Sequence, residues 1–388
     1  MFSSRLDWDL RPNRISAAVE AKRRAGAPVL DLTESNPTHA GLGYPAGKIL
    51  SALSDGRSLS YDPAPAGLAR AREAVAGYYA ARGDAIDPSR ILLTASTSEA
   101  YANVFKLLCD PGDEVLVPRP SYPLFEFLAR LESVRVVQYP LAYHGSWRID
   151  FEALEAAVTP RTRAVVLVNP NNPTGSFLKP DELPRLVALC ASRGLAIVSD
   201  EVFSDYGFAA CGVRTLTGVA DALTFCFSGL SKIAALPQMK LGWIVTGGPG
   251  AGRAFERLEL IADTYLSVAA PVQHGAARLL AAGASVRGQI LARARGNLEA
   301  LRAAAVGSAL SVLDVEGGWY ATVRVPRTRS EEEWTLQLLD ADDVLVQPGF
   351  FYDFESEAFL VLSLLTEPGV FREGLRRILY RTSRADLM

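Results

Sequence analysis

Three features of the sequence predict an α/β fold with a mostly parallel sheet. Short apolar runs recur from residue 91 to 248, among them ILLTAS (91–96), RAVVLVNP (163–170) and ALTFCFSG (222–229). They are near-continuous instead of alternating, as expected of strands whose two faces are both buried. Between them lie segments of helical periodicity, such as STSEAYANVFKLLCD and DELPRLVALCASRG, long enough to cross over from strand to parallel strand. The expected architecture is a large domain at 46–270, with a seven-stranded sheet flanked by helices. A smaller α+β domain is expected from 1–45 and 271–388.

Each element has its own local signal. ISAAVEAKRRAG (15–26) reads as a helix stopped by Gly26, and PVLDLTESNP (28–37) as a short strand ending in a polar turn at Asn36-Pro37. YDPAPAG (61–67) is a Pro-rich loop before an amphipathic helix. The seven strands are ILLTAS, EVLVPRP, VRVVQYPL, RAVVLVNP, LAIVSDEVF, ALTFCFSG and KLGWIVTGG. Residues 251–307 read as nearly unbroken helix, interrupted around AAPVQHG (269–275), either as an antiparallel hairpin or as one bent helix. Beyond 311 the pattern is strand, helix, strand, strand, helix.

Composition narrows the function. Of 388 residues 49% are hydrophobic and 21% charged, which supports a large buried core. A net charge of −3 argues against nucleic acid or an acidic membrane as partner. Cys109, Cys190, Cys211 and Cys226 form no CxxC pair and read as free thiols in a reducing compartment. His39, His144 and His274 lack metal-ligand spacing, so no metal is expected. Charges interrupt MFSSRLDWDLRPNR before an apolar core forms, unlike a secretory signal, and no run is long enough to span a membrane. A cytoplasmic protein is expected.

Four polar clusters fall at the carboxyl ends of strands, where open α/β sheets bind their ligands. Thr94-Ala95-Ser96-Thr97-Ser98-Glu99 opens a helix, and reads as an anion site or as a plain N-cap with a Ser96–Glu99 capping box. NPNNPTG (169–175) is a rigid turn expected to expose its Asn side chains. In SDEVF (199–203), Asp200 follows a buried strand and needs a cationic partner. In SGLSK, Lys232 stands just past another. Desolvation there disfavours the ammonium and frees the amine for Schiff-base chemistry, against the alternative of a snorkelling surface lysine.

YDPAPAG, TASTSEA, RPSYP, NPNNPTG, SDEVF, SGLSK and KLGW, in this order over residues 61–243, resemble the class I/II aminotransferases, the fold-type-I pyridoxal phosphate (PLP) enzymes. The resemblance implies a PLP cofactor, an amino donor, a 2-oxo acid acceptor and a homodimer with shared active sites. It assigns the Schiff base and proton shuttling to Lys232, the pyridinium partner to Asp200, the phenolic oxygen to Asn172 and ring stacking to Tyr122. Thr97, Ser98, Ser228, Ser231 and Lys240 are expected at the phosphate, with Tyr61 reaching the neighbouring subunit's phosphate. Asn36 and Asn172 are expected at the substrate.

Three positions depart from the family pattern. Phe203 replaces a Tyr that bonds the phenolic oxygen, which predicts a raised pKa for the lysine–cofactor adduct. Lys240 replaces an Arg at the phosphate, a point charge for a bidentate fork. Val361 aligns with the Arg that clamps the substrate carboxylate, and Arg14, Arg119 and Arg324 are candidate replacements. The same residues would support a C–S lyase or another cleavage at the substrate's α-carbon. A cofactor-binding regulatory module or an inactive scaffold is the non-enzyme alternative. The N-terminal segment at 1–45 is expected to be too short for a winged-helix DNA reader.

Overall fold

The computed structural model describes residues 1–208 and 212–384; Cys211 lies outside them. The chain opens with α1 (Arg14–Arg24), β1 (Leu30–Asp31), α2 (Ala46–Ala52) and α3 (Ala69–Ala80). The alternating part follows: β2 (Ile91–Thr94), α4 (Thr97–Leu108), β3 (Glu114–Arg119), α5 (Phe125–Leu131), β4 (Arg135–Tyr143), β5 (Trp147–Ile149) and α6 (Phe151–Ala156). It continues through β6 (Thr162–Val168), α7 (Glu182–Arg193), β7 (Ala196–Asp200), β8 (Thr224–Gly229), α8 (Leu230–Ile233) and β9 (Gly242–Gly247). Helices α9 (Ala251–Asp263) and α10 (Ala270–Ala305) lead to β10 (Ser311–Val312), β11 (Tyr320–Arg324) and α11 (Glu331–Asp342). The last elements are β12 (Val344–Leu345), β13 (Gln347–Pro348), β14 (Phe359–Ser363) and α12 (Pro368–Thr382).

All seven expected strands join one sheet, in the order β2-β9-β8-β7-β6-β3-β4-β5. The run from β8 to β4 is parallel throughout. An eighth strand, β5, pairs antiparallel on the edge at β4; three residues are too few to leave a periodic signal. Strand β9 runs against both its neighbours. Its first residue, Gly242, therefore lies opposite Thr94 and Gly229, the last residues of β2 and β8.

Neighbouring residues on each strand serve opposite cores. Leu93, Leu116, Val165 and Ile197 pack under α3, α7 and the first half of α10. Leu92, Val115, Val166 and Val198 pack under α4, α5 and α9. This two-sided burial is why the strands read as unbroken apolar runs. Helix ends carry the expected signals. Ser96 caps α4 through Glu99 N–H at 3.2 Å, and Gly194 ends α7 at φ +66°.

A second sheet, β10-β11-β14-β13, is antiparallel. Its core joins Trp334 of α11 and Phe371 of α12 to Ala294, Leu298 and Leu301 near the end of α10. Helix α10 thus contributes to both cores. Strand β1 pairs parallel with β12, so the N-terminal segment is built into this second unit. The helical region at 251–307 breaks at 264–269, earlier than expected. Pro271 sits in the first turn of α10, where its missing N–H has no helical partner to lose. Helices α9 and α10 form no hairpin: α9 packs on α4 and α10 on α2, α3 and α12. Among the described residues, no helix is long and apolar enough to cross a membrane.

Candidate active site

Strand ends build one cleft of about 790 Å³. Thr97 and Ser98 come from the start of α4 after β2, Tyr122 from the loop after β3, and Asn172 from the turn after β6. Asp200 is the last residue of β7, and Ser231 and Lys232 lie in α8 directly after β8. These seven expected residues line the cleft together, with Ser35, Tyr101, Phe203 and Tyr320 among their neighbours. In the sheet, β6, β7 and β8 are adjacent, so Asn172, Asp200 and Lys232 emerge from three neighbouring ends.

A four-residue helix such as α8 does not hold itself. Side chains from distant segments grip its carbonyls instead. Tyr206 Oη donates to Lys232 O at 2.6 Å, Arg287 to Ile233 O at 3.0 Å, and Tyr44 Oη to Ala235 O at 2.8 Å. Asp205 in turn pairs with Arg287 at 3.1 Å and with Arg82 at 2.9 Å. Lys232 Nζ lies 4.9 Å from the Trp319 ring centroid and 5.6 Å from that of Phe203. Burial pulls its pKa down to about 8, against the attraction of Asp200. Desolvation of Lys232 is thus realised.

Burial raises the Asp200 carboxyl to about 6, opposed by the Val202 N–H and the Tyr101 hydroxyl, both at 3.2 Å, and by Lys232. Among the described residues no cation lies within 4 Å of it, so its charge is left largely uncompensated. The NPNNPTG asparagines are buried, contrary to the expected exposure. Asn169 bonds Val213 O and Leu178 N–H, and Asn171 bonds Pro120 O and Thr174. Two of those partners, Val213 and Pro120, come from loops far along the chain, which a local reading of the turn does not see. Asn172 keeps Oδ1 buried without a partner, as Ser228 does Oγ.

At the start of α4, Ser96 is occupied as the cap and Glu99 turns back to Ala95 N–H. Thr97 and Ser98 are left to the cleft. Gly242 closes this end: a Cβ there would stand 3.0 Å from Ser96 C and from Thr94 Oγ1. The N-cap is therefore formed, but Glu99 closes on Ala95 N–H and not on the Ser96 N–H that the expected capping box would use.

Four expected residues do not line the cleft. Ser228 is buried at the end of β8, and Lys240 is exposed. Tyr61 is 82% exposed and lines a different cavity. Asn36 Oδ1 accepts from the Thr38 N–H and hydroxyl, and its neighbour Ser35 lines the cleft instead. The three candidate arginines are elsewhere: Arg14 pairs with Glu332, Arg119 with Glu355, and Arg324 lies over Phe359. Val361 is buried among Phe203, Trp319 and Tyr320.

Tyr101, Tyr206, Trp319 and Tyr320 were not legible as site residues. Tyr101 is one turn along α4 from Thr97, so a helix-face argument from TSEAY could have found it. Nothing near Tyr206 or Trp319 in sequence points to Lys232.

One strand-end cleft thus brings together a half-buried amine, a half-buried carboxylate and a capped helix N-terminus. The family model for aminotransferase class I and II matches residues 27–378, and the chain belongs to that family. Glutamate-pyruvate aminotransferase AlaA of Escherichia coli K12 is 32% identical over 261 residues, covering 66% of this chain and 64% of that protein. The chain thus spans less than two thirds of that relative's length. S-alkyl-thiohydroximate lyase SUR1 of Arabidopsis thaliana is 32% identical over 207 residues, 52% of this chain and 44% of that protein. An Escherichia coli aminotransferase structure superposes with a TM-score of 0.86 at 25% identity, covering 99% of this chain and 98% of that one.

Enzymes of this family depend on PLP. The residues present fit that group. Two buried oxygens lack partners, on Asn172 and Ser228, one half-buried carboxylate lacks a counter-charge, and one amine has its proton loosened.

Proposed function

We propose that the chain is a PLP-dependent aminotransferase, moving an amino group from an amino acid or related amine to a 2-oxo acid. The observation that carries this is Lys232, a half-buried amine with pKa about 8 sharing one cleft with Asp200 and Asn172. When bound, PLP supplies an electron sink that eases bond breaking at the substrate's α-carbon. Lys232 Nζ would hold the cofactor and carry the proton that leaves the substrate's α-carbon. Asp200 would keep a proton on the ring nitrogen, and Asn172 would face the phenolic oxygen. Tyr122, 45% exposed at the rim, would cover the ring. Thr97 and Ser98, at the N-terminus of α4, would hold the phosphate together with Ser228, Ser231 and Lys240. Asn172 remains the proposed polar contact to substrate; Asn36, held by Thr38 outside the cleft, gives way to Ser35.

The test mixes PLP-loaded protein with single amino acids and no oxo acid. Conversion to pyridoxamine phosphate with a matching oxo acid is the expected result. Ammonia release with the cofactor unchanged would instead favour the second reading, a C–S lyase, which the likeness to SUR1 supports.

A homodimer is part of the proposal. Tyr61 points away from its own cleft, and Leu59 and Leu260 are strongly exposed. Sedimentation at twice the chain mass is expected. Division into a large domain at 46–270 and a small one at 1–45 with 271–388 also stands as a proposal. Free thiols at Cys109, Cys190 and Cys226 support a reducing, cytoplasmic setting.

A further inference from the structure

The cleft around Lys232 is charged only at its base. Among the described residues, Asp200 and Lys232 are the only charged side chains that line it. The rest of the lining is uncharged: Ser35, Thr97, Ser98, Asn172 and Ser231 are polar, whereas Leu124, Phe125, Leu128, Val202 and Phe203, with the rings of Tyr122 and Tyr320, form an apolar side. The reactive nitrogen lies over the rings of Trp319 and Phe203, and Val361 packs into the same cluster. Phe203 meets Trp319 edge-on at 5.2 Å, with Tyr206 buttressing Trp319 at 5.2 Å. These rings are buried and interlocked, so the wall is rigid.

Such a wall treats two kinds of substrate group differently. An aromatic or branched apolar group loses water and gains contacts on every side. A carboxylate loses its water and, among the described residues of this chain that line the cleft, meets no cation beyond a lysine already engaged in the chemistry. We propose that the amino donor is an amine carrying an aromatic or branched apolar group, and that this group, not a carboxylate, sets its recognition. The inference rests on the reading of this cleft as the amino-transfer site.

Two measurements on the PLP-loaded wild-type protein test it. The first is equilibrium binding of two non-reacting acids, 3-phenylpropionate and glutarate. The phenyl compound is expected to bind at least about tenfold tighter, because the second carboxylate finds no partner. Equal or tighter glutarate binding overturns the proposal. The second is single-turnover amino transfer from phenylalanine, 2-phenylethylamine and glutamate. Removing the carboxylate, from phenylalanine to 2-phenylethylamine, should cost less than about tenfold, with glutamate at least about a hundredfold slower than phenylalanine. A hundredfold loss with 2-phenylethylamine overturns the proposal by revealing a carboxylate contact. Transfer from glutamate alone leaves amino transfer standing and sinks this inference. The expected binding order with no transfer from any amine does the reverse. Tyr320→Ala should weaken 3-phenylpropionate about tenfold and leave glutarate unchanged.

Discussion

The cleft has two unlike halves. The half built on the large sheet is polar and unfinished: Asn172 keeps an unpartnered oxygen, and Asp200 and Lys232 hold shifted pKa values. The half reached by the second unit is mainly apolar, with Trp319, Tyr320 and Val361 packed on Phe203 and the Trp319 ring N–H buried there without a partner among the described residues. Burying polar groups without partners costs stability, so the first half is tolerable only if a ligand completes it. Packed rings need no ligand. The contrast separates the part that holds a cofactor from the part that shapes what approaches it.

The sharpest break is Lys232→Ala. Borohydride should then trap no PLP on the protein, and turnover should fall by roughly ten-thousandfold. A surviving trapped adduct would move the reactive lysine elsewhere.

Asp200→Asn tests whether the polar half is strained. Turnover should drop by about a hundredfold or more. The cofactor-free protein should become more stable at neutral pH. The raised carboxyl binds its proton more tightly folded than unfolded, so stability falls as pH rises from 3.8 to about 6. The amide removes that loss, roughly 2 kcal/mol and a rise of a few degrees in Tm. A lower Tm for the cofactor-free variant would mean that Asp200 is satisfied without the cofactor.

The pH dependence of PLP capture probes Lys232 directly. Its folded pKa lies below the usual lysine value, so the free amine accumulates as pH rises towards about 8. The capture rate in cofactor-free protein should climb about tenfold per pH unit below that point and level off above it. A climb continuing to pH 10 would mean a solvated lysine.

Tyr206→Phe removes the hydroxyl that grips Lys232 O. Stability should fall by about 1 kcal/mol and capture should slow by about tenfold. An unchanged capture rate would make Tyr206 a packing residue only. The smallest effect is expected from Phe203→Tyr, which returns a donor to the border between the halves. The pH midpoint of the cofactor's visible band should move down by less than about one unit; a midpoint that stays put would show that the added hydroxyl does not reach the cofactor.

The polar half was legible because each group sits at a strand end, beside its own apolar run. LAIVSD carries Asp200 and TFCFSGLSK carries Lys232 within a few residues of the strand that positions them. Strand runs and helix spacers likewise marked the sheet. The apolar half was not legible: Phe203, Trp319 and Val361 look like ordinary core residues, and they meet only when β11 and β14 pair at Thr322–Val361 and carry them against the turn after β7.

Local periodicity and strand-end chemistry therefore determined the fold class and singled out Lys232 and Asp200 as the proposed nucleophile and carboxylate, since those readings depend on neighbours along the chain. Tertiary structure alone decided which side chains surround them. It buried Asn172, turned Asn36 aside for Ser35 and placed none of the three candidate arginines in the cleft. Contacts between residues a hundred or more positions apart arise from how helices and sheets close on one another, and no window of sequence carries that information.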